Sequence, residues 1–192
     1  AVVDLDGVKI RNVAKIGEAG YLTLEEAMSA VRSGDTITLL SDVVGSDTLF
    51  LEFNGKTDIT LTALTDVVVN GNIQVGFHPS HIDGVNRSES TFTVKGLTVK
   101  GTLTVLSADA NLVVDDNKAA QITVKTYSEG INIAISGNDV DGTLGAASNK
   151  YGMFLVPNAT AYNLKVEGNT FKNVDSHAFV VQGSGDGSAV TA

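Results

Sequence analysis

Few residues in this 192-residue chain have the types and spacing that chemistry needs. His78-Pro79-Ser80-His81-Ile82-Asp83 sets two imidazoles and a carboxylate close together, ligand types that zinc accepts with a fourth position open. The two histidines sit in a Pro-containing loop, without the helical spacing that converges two rings. The plainer reading of His78, His81 and Asp83 is therefore a polar surface loop, and no cofactor is expected. Asp115-Asp116 superficially matches the carboxyl pair with which glycosidases flank a scissile bond. Neighbouring strand residues point to opposite faces, so at most one of the two would line a groove. Val114-Asp115-Asp116-Asn117 reads instead as a polar turn.

His177 reads as a turn or surface residue rather than a base. Gly183-Ser184-Gly185-Asp186-Gly187 has no helix or Lys after it, so it is a linker and not a phosphate loop. Tyr127, Tyr151 and Tyr162 are the aromatics placed to reach the surface, and flat rings beside polar turns suit sugars. They are the ligand-binding candidates, although the absence of Trp removes the largest stacking surface. No catalytic residue emerges.

Composition narrows the classes of function. The net charge of −9 repels phosphate backbones and anionic lipid, and basic residues are scattered without a stripe, so no nucleic-acid partner is expected. No apolar run approaches the roughly 18 residues of a membrane span. With no Cys, disulfides and thiolate sites are excluded. The hydrophobic fraction of 43% is enough for one core. The start at Ala1 without a leader and the Gly/Ser-rich run near Ala192 read as an excerpt of a longer protein.

The elements that must position these residues are one helix and many short strands. The helix is expected over 24–33. Thr23 and Glu26 form a capping box, Leu22 and Ala27 a hydrophobic staple, Leu24, Ala27, Met28 and Val31 one apolar stripe, and Gly34 the stop. After it, Thr36–Leu40, Asp58–Leu61, Thr91–Val94, Leu112–Val114, Gln121–Val124 and Ile131–Ile135 alternate in the strand period. Pro79 and Pro157 fall between strands.

The strands repeat. Ile135–Gly142 resembles Val166–Asn173 at an offset of 31, and Tyr151–Val156 resembles Ser176–Val181 at an offset of 25. The difference is an insertion within Gly142–Lys150. Leu61, Leu103 and Val124 fall about 21 residues or multiples of it apart, the length of one turn of a parallel β-helix. Asn138 and Asn169 would then adopt left-handed bends and stack amide on amide, with Phe154 and Phe179 stacked in the core. The expected fold is all-β: a right-handed parallel β-helix, or solenoid, with an N-terminal capping α-helix. It would be one domain over 1–192, with the cap in 1–34 and the coils in 35–192. A β-sandwich is the rival, because Asn54-Gly55 and Asn70-Gly71 are hairpin dipeptides.

Val13–Gly17, Tyr21–Met28 and Gly34–Val43 together resemble the opening of right-handed parallel β-helix (pectin-lyase-like) regions in secreted surface proteins of gut-type bacteria. Gly168–Asn173, Gly-Asn-x-Phe-x-Asn, resembles the coil motif of that superfamily. The resemblance implies the fold and an extracellular setting, at the bacterial surface or secreted. It does not imply an activity, because the superfamily holds lyases, hydrolases, adhesins and stalks. Its lyases use Asp-bound calcium with an Arg or Lys base, and its hydrolases clustered Asp with Gly-His-Gly and Arg-x-Lys. The three arginines, Arg11, Arg32 and Arg87, supply neither pattern. The expectation is a noncatalytic scaffold or adhesion module, with a host or dietary glycan or a protein surface as partner. A polysaccharide lyase, a glycoside hydrolase or a remnant of one is the alternative.

Overall fold

The computed structural model describes residues 3–5, 8–47, 49–78, 83–107, 109–145, 151–158 and 162–183. The chain is mostly β, in parallel sheets. It begins with β1 (Val3–Leu5), β2 (Val8–Ile10), β3 (Ala14–Ile16) and β4 (Ala19–Tyr21), followed by α1 (Leu24–Ala30). Then come β5 (Thr36–Leu39), β6 (Val43–Val44), β7 (Phe50–Glu52), β8 (Thr60–Ala63), β9 (Val68–Asn70) and β10 (Ile73–Gly76). β11 (Thr91–Lys95), β12 (Thr98–Ser107), β13 (Asn111–Asp115) and β14 (Lys118–Thr126) follow. The last are β15 (Ile131–Ser136), β16 (Asp139–Asp141), β17 (Tyr151–Pro157), β18 (Tyr162–Glu167), β19 (Thr170–Lys172) and β20 (His177–Val181).

From β5 onward every described pairing between strands is parallel, and the pairings fall into three columns. The first runs β5-β8-β11-β13-β15-β18. The second runs β6-β9-β12-β14-β16-β19, and the third β7-β10-β12-β14-β17-β20. β12 belongs to both because it runs on round a corner, with a register break between Val99 and Thr102 where it bends. Each pass through the three columns makes one rung, from β5–β7 at one end to β18–β20 at the other.

In-register pairing piles equivalent side chains on one another. Ile37, Leu61, Val94, Val114 and Ile135 form one pile and are each 0% exposed. Leu51, Val75, Val105, Val124 and Leu155 form its counterpart in the third column and are also buried. The period-2 alternation puts one face of each strand inward, and each such side chain stabilises the stack by about 1.5–3 kcal/mol.

Antiparallel pairing is confined, among the described residues, to β1–β2, β3–β4 and β3–β5. Asn54-Gly55 and Asn70-Gly71 make no hairpin. β7 pairs with β10 and β9 with β6 and β12, so both dipeptides serve as bends between columns and the sandwich expectation fails.

α1 keeps the expected capping box: the Glu26 amide donates to Thr23 Oγ1 at 3.1 Å, and the amides of Leu22 and Thr23 donate to Glu26 Oε2. The staple does not form, since Leu22 is 46% exposed. The helix also stops three residues short of the expected end. Val31 turns extended as its C-cap and buries its side chain, and the Arg32 amide is taken by Asp35 Oδ2. Leu24, Ala27 and Val31 join the core, with Met28 packed against it.

The repeat register is corrected in two places. The offset of 31 holds: Ile135 pairs with Val166 and Asp141 with Lys172. The second offset is 26 and not 25, because Tyr151 pairs with His177 and Met153 with Phe179. A one-residue slip exchanges faces. Phe154 therefore points outward while Met153 and Leu155 are buried, and Phe179 packs on the core. Leu61 belongs to the first column, whereas Leu103 pairs with Ile122 and Val124 with Val105 in the third. Pro157 closes β17 rather than lying between strands.

Candidate binding surface

The outward residues of the third column run Phe50, Gln74, Thr104, Thr123, Phe154 and Val180, one per rung. Aromatic groups stand towards both ends of this row. The Phe50 and His78 rings meet edge-on at 6.0 Å. Four rungs away, roughly 19 Å at the ordinary strand spacing, Tyr151 stacks on Phe154 with centroids 5.4 Å apart and planes 14° apart. His177 lies 5.8 Å from Tyr151, and its Nδ1 is 2.5 Å from Ser176 Oγ. The strand directions create this cluster: Tyr151 opens β17, Phe154 follows on the outer face, and parallel pairing delivers His177 beside Tyr151.

The three tyrosines singled out in the sequence stand in different settings. Tyr151 is part of the aromatic cluster. Tyr162 pairs with Ile131 and packs against the core. Tyr127, after β14, is half-buried, and burial raises its hydroxyl pKa. Phe154 and His177 were missed as surface partners, and reading the second repeat at 26 rather than 25 would have found them.

His81 lies outside the described residues. Asp83 is occupied: its carboxylate accepts from Arg87, from the Gly55 amide and from the Val85 amide, and the Arg87 hydrogen bond holds it well below the usual carboxylate range. Among the described residues no group of three or more metal-ligating side chains converges. Asp115 accepts from Ser136 Oγ at 2.7 Å, while Asp116 occupies a bend at φ 52°. An open groove of about 550 Å³ lies beside α1, bordered by Tyr21, Arg32, Asp35 and Lys56.

Among the described residues the buried charged side chain is Arg87, 3% exposed. Its guanidinium lies over the Phe77 ring at 4.3 Å, donates through Nε to the Lys56 carbonyl at 2.7 Å, and binds Asp83 and Asp109. Those partners engage all three of its nitrogens, so Arg87 ties loops together.

The sequence foresaw that Asn138 and Asn169 stack, and they do. Asn138 Nδ2 and the Asn138 amide both donate to Asn169 Oδ1, at 2.8 and 3.0 Å. Asn117 precedes them, giving Oδ1 of Asn138 the same two donors. The bend itself is made by the preceding residue and not by Asn: Gly96, Asp116, Gly137 and Gly168 have φ between 52° and 65°. A second ladder, absent from the sequence reading, joins Asn111, Asn132 and Asn163 on the outer side of the first column.

No protein family, curated protein or solved structure matches this chain.

Proposed function

We propose that the chain is a noncatalytic binding and scaffold module: a right-handed parallel β-helix whose N-terminal end is capped by α1, belonging to a secreted or surface-anchored bacterial protein. The in-register stacking of three strand columns supports the β-helix, because successive rungs of that fold present equivalent residues in piles. Burial of Leu24, Ala27 and Val31 from α1 supports the cap, since an open stack end otherwise exposes apolar side chains and strand edges. The extracellular setting rests on the resemblance to pectin-lyase-like regions.

The ligand class that fits the outer surface is a glycan. The observation that carries this reading is the near-parallel pair of Tyr151 and Phe154 beside His177, aromatic faces set on a rigid sheet. Such rings stack on the apolar faces of sugars, while the adjoining imidazole supplies a polar contact. Hydrolysis or elimination has no support, because Asp83, Asp115 and Arg87 are all engaged with neighbours.

A glycan array with wild type, Tyr151→Ala and Phe154→Ala tests the reading. Signal on a subset of glycans is expected in wild type, with a loss of roughly tenfold in each variant. Signal unchanged in both variants removes the cluster from the site. Incubation with polygalacturonate, followed by ultraviolet absorbance of the unsaturated product, tests the noncatalytic claim. Calcium-dependent turnover would end it.

A further inference from the structure

The groove beside α1 is built on two turns that are fastened to each other. The Gly34 amide donates to the Thr57 carbonyl at 3.0 Å, and the Thr57 amide to Ser33 Oγ at 2.9 Å. The Asp35 amide closes the first turn onto the Arg32 carbonyl, while Asp35 Oδ2 takes the Arg32 amide. On the second turn the Lys56 amide donates to the Phe53 carbonyl, and the Lys56 carbonyl is held by Arg87 Nε. The backbone that carries Arg32, Asp35 and Lys56 is thus fixed in advance, which lowers the cost of ordering a site.

The walls offer both signs of charge. Arg32 and Lys56 come from different turns to border one cavity of about 550 Å³, a volume in the range of small-molecule sites. Among the described residues neither cation has an acceptor for its side chain, although the chain as a whole carries a charge of −9. Acceptors stand in the same groove. α1 has no basic residue in its last turn. The carbonyls of Ser29 and Ala30, residues that line the cavity, receive no hydrogen bond among the described residues. With the Asp35 carboxylate they form a side rich in acceptors, at the end of the helix where its dipole is negative. Ile16 and Tyr21 add apolar surface to the lining.

We infer that this groove binds a small zwitterion, an α-amino acid with an apolar side chain. Its carboxylate pairs with Arg32 and Lys56, its ammonium with Asp35 and the carbonyls that end α1, and its side chain lies against Ile16 and Tyr21. A plain anion leaves the acceptors unmatched and brings its charge beside Asp35; a plain cation meets Arg32 and Lys56. Only a molecule with both charges satisfies both sides. The inference does not depend on the glycan reading, which concerns the outer face of the third column.

The probe is L-leucine, titrated into the full chain by calorimetry, with the amide resonances followed by NMR. Saturable binding is expected, with shifts centred on residues 29–35 and 56–57. Leucinamide, which lacks the carboxylate, and N-acetyl-leucine, which lacks the ammonium, should each bind roughly tenfold more weakly or worse. Lys56→Gln and Asp35→Asn, each with unchanged circular dichroism, should weaken leucine by a similar factor. Absence of saturable leucine binding overturns the inference, as does leucine affinity unchanged in Lys56→Gln. So does N-acetyl-leucine binding as tightly as leucine, which would make the groove a site for anions alone.

Discussion

The two asparagine ladders use the same side chain at the same rung spacings, 21 and 31 residues, in opposite surroundings. In the inner ladder, Asn117 and Asn138 are each 1% exposed, and Asn138 Nδ2 reaches Val114 O, Ser136 O and Asn169 Oδ1. In the outer ladder Asn132 and Asn163 stand in solvent. Water replaces a lost partner outside but not inside. The inner ladder is thus a condition of packing, and the outer one an ornament of the strand surface.

The largest effect is expected from Asn138→Ala. It leaves the Asn117 amide and two carbonyls without their ladder partner and takes one of two donors from Asn169 Oδ1, and should destabilise by about 3 kcal/mol in denaturant melts. A loss no greater than that of Asn132→Ala would erase the distinction between the ladders. Next comes the bend that delivers the inner Asn. Gly137 sits at φ 64° with no close neighbour for an added Cβ, so Gly137→Ala should cost about 1–2 kcal/mol through backbone strain alone. The reciprocal change, Asp116→Gly at φ 52°, should be neutral or mildly stabilising, and a clear loss would show that Asp116 is held by more than its conformation.

Asn132→Ala should cost under about 1 kcal/mol, because both severed hydrogen bonds are exposed. The smallest effect concerns acid. Asn173 Nδ2 and Thr143 donate to the Asp141 carboxylate and lower its pKa from 3.8 to about 2. A depressed carboxylate contributes stability that is complete above its unfolded value and is lost as the pH falls through the folded one. Wild type should therefore lose more stability than Asp141→Asn between pH 3.8 and 2. Parallel curves would remove Asp141 from the acid response.

What the sequence revealed follows from locality. The capping box is read from four consecutive residues, and the pairing of Ile135 with Val166 from two Gly-Asn motifs in rungs of equal layout. Asn117 was hidden because Asp116 stands where the later rungs have Gly, so the motif reads as an acidic turn. The outer ladder has no motif at all, only a lone Asn in an alternating strand. The register of β17 against β20 escaped because an insertion precedes β17, and a one-residue error there turns Phe154 from surface to core. Arg87 was legible as a cation but not as a buried one, since its partners Lys56 and Asp109 are 31 and 22 residues away.

That arginine has a mechanical consequence. Lys56, Arg87 and Asp109 lie on three successive crossovers between rungs, and one guanidinium clasps all of them. A stack whose layers touch only their neighbours frays layer by layer from its loose end. Unravelling from β20 should advance freely through β18 and β15 and stall where the clasp fastens several layers at once. Limited proteolysis would then leave a resistant N-terminal remnant that Arg87→Ala no longer protects.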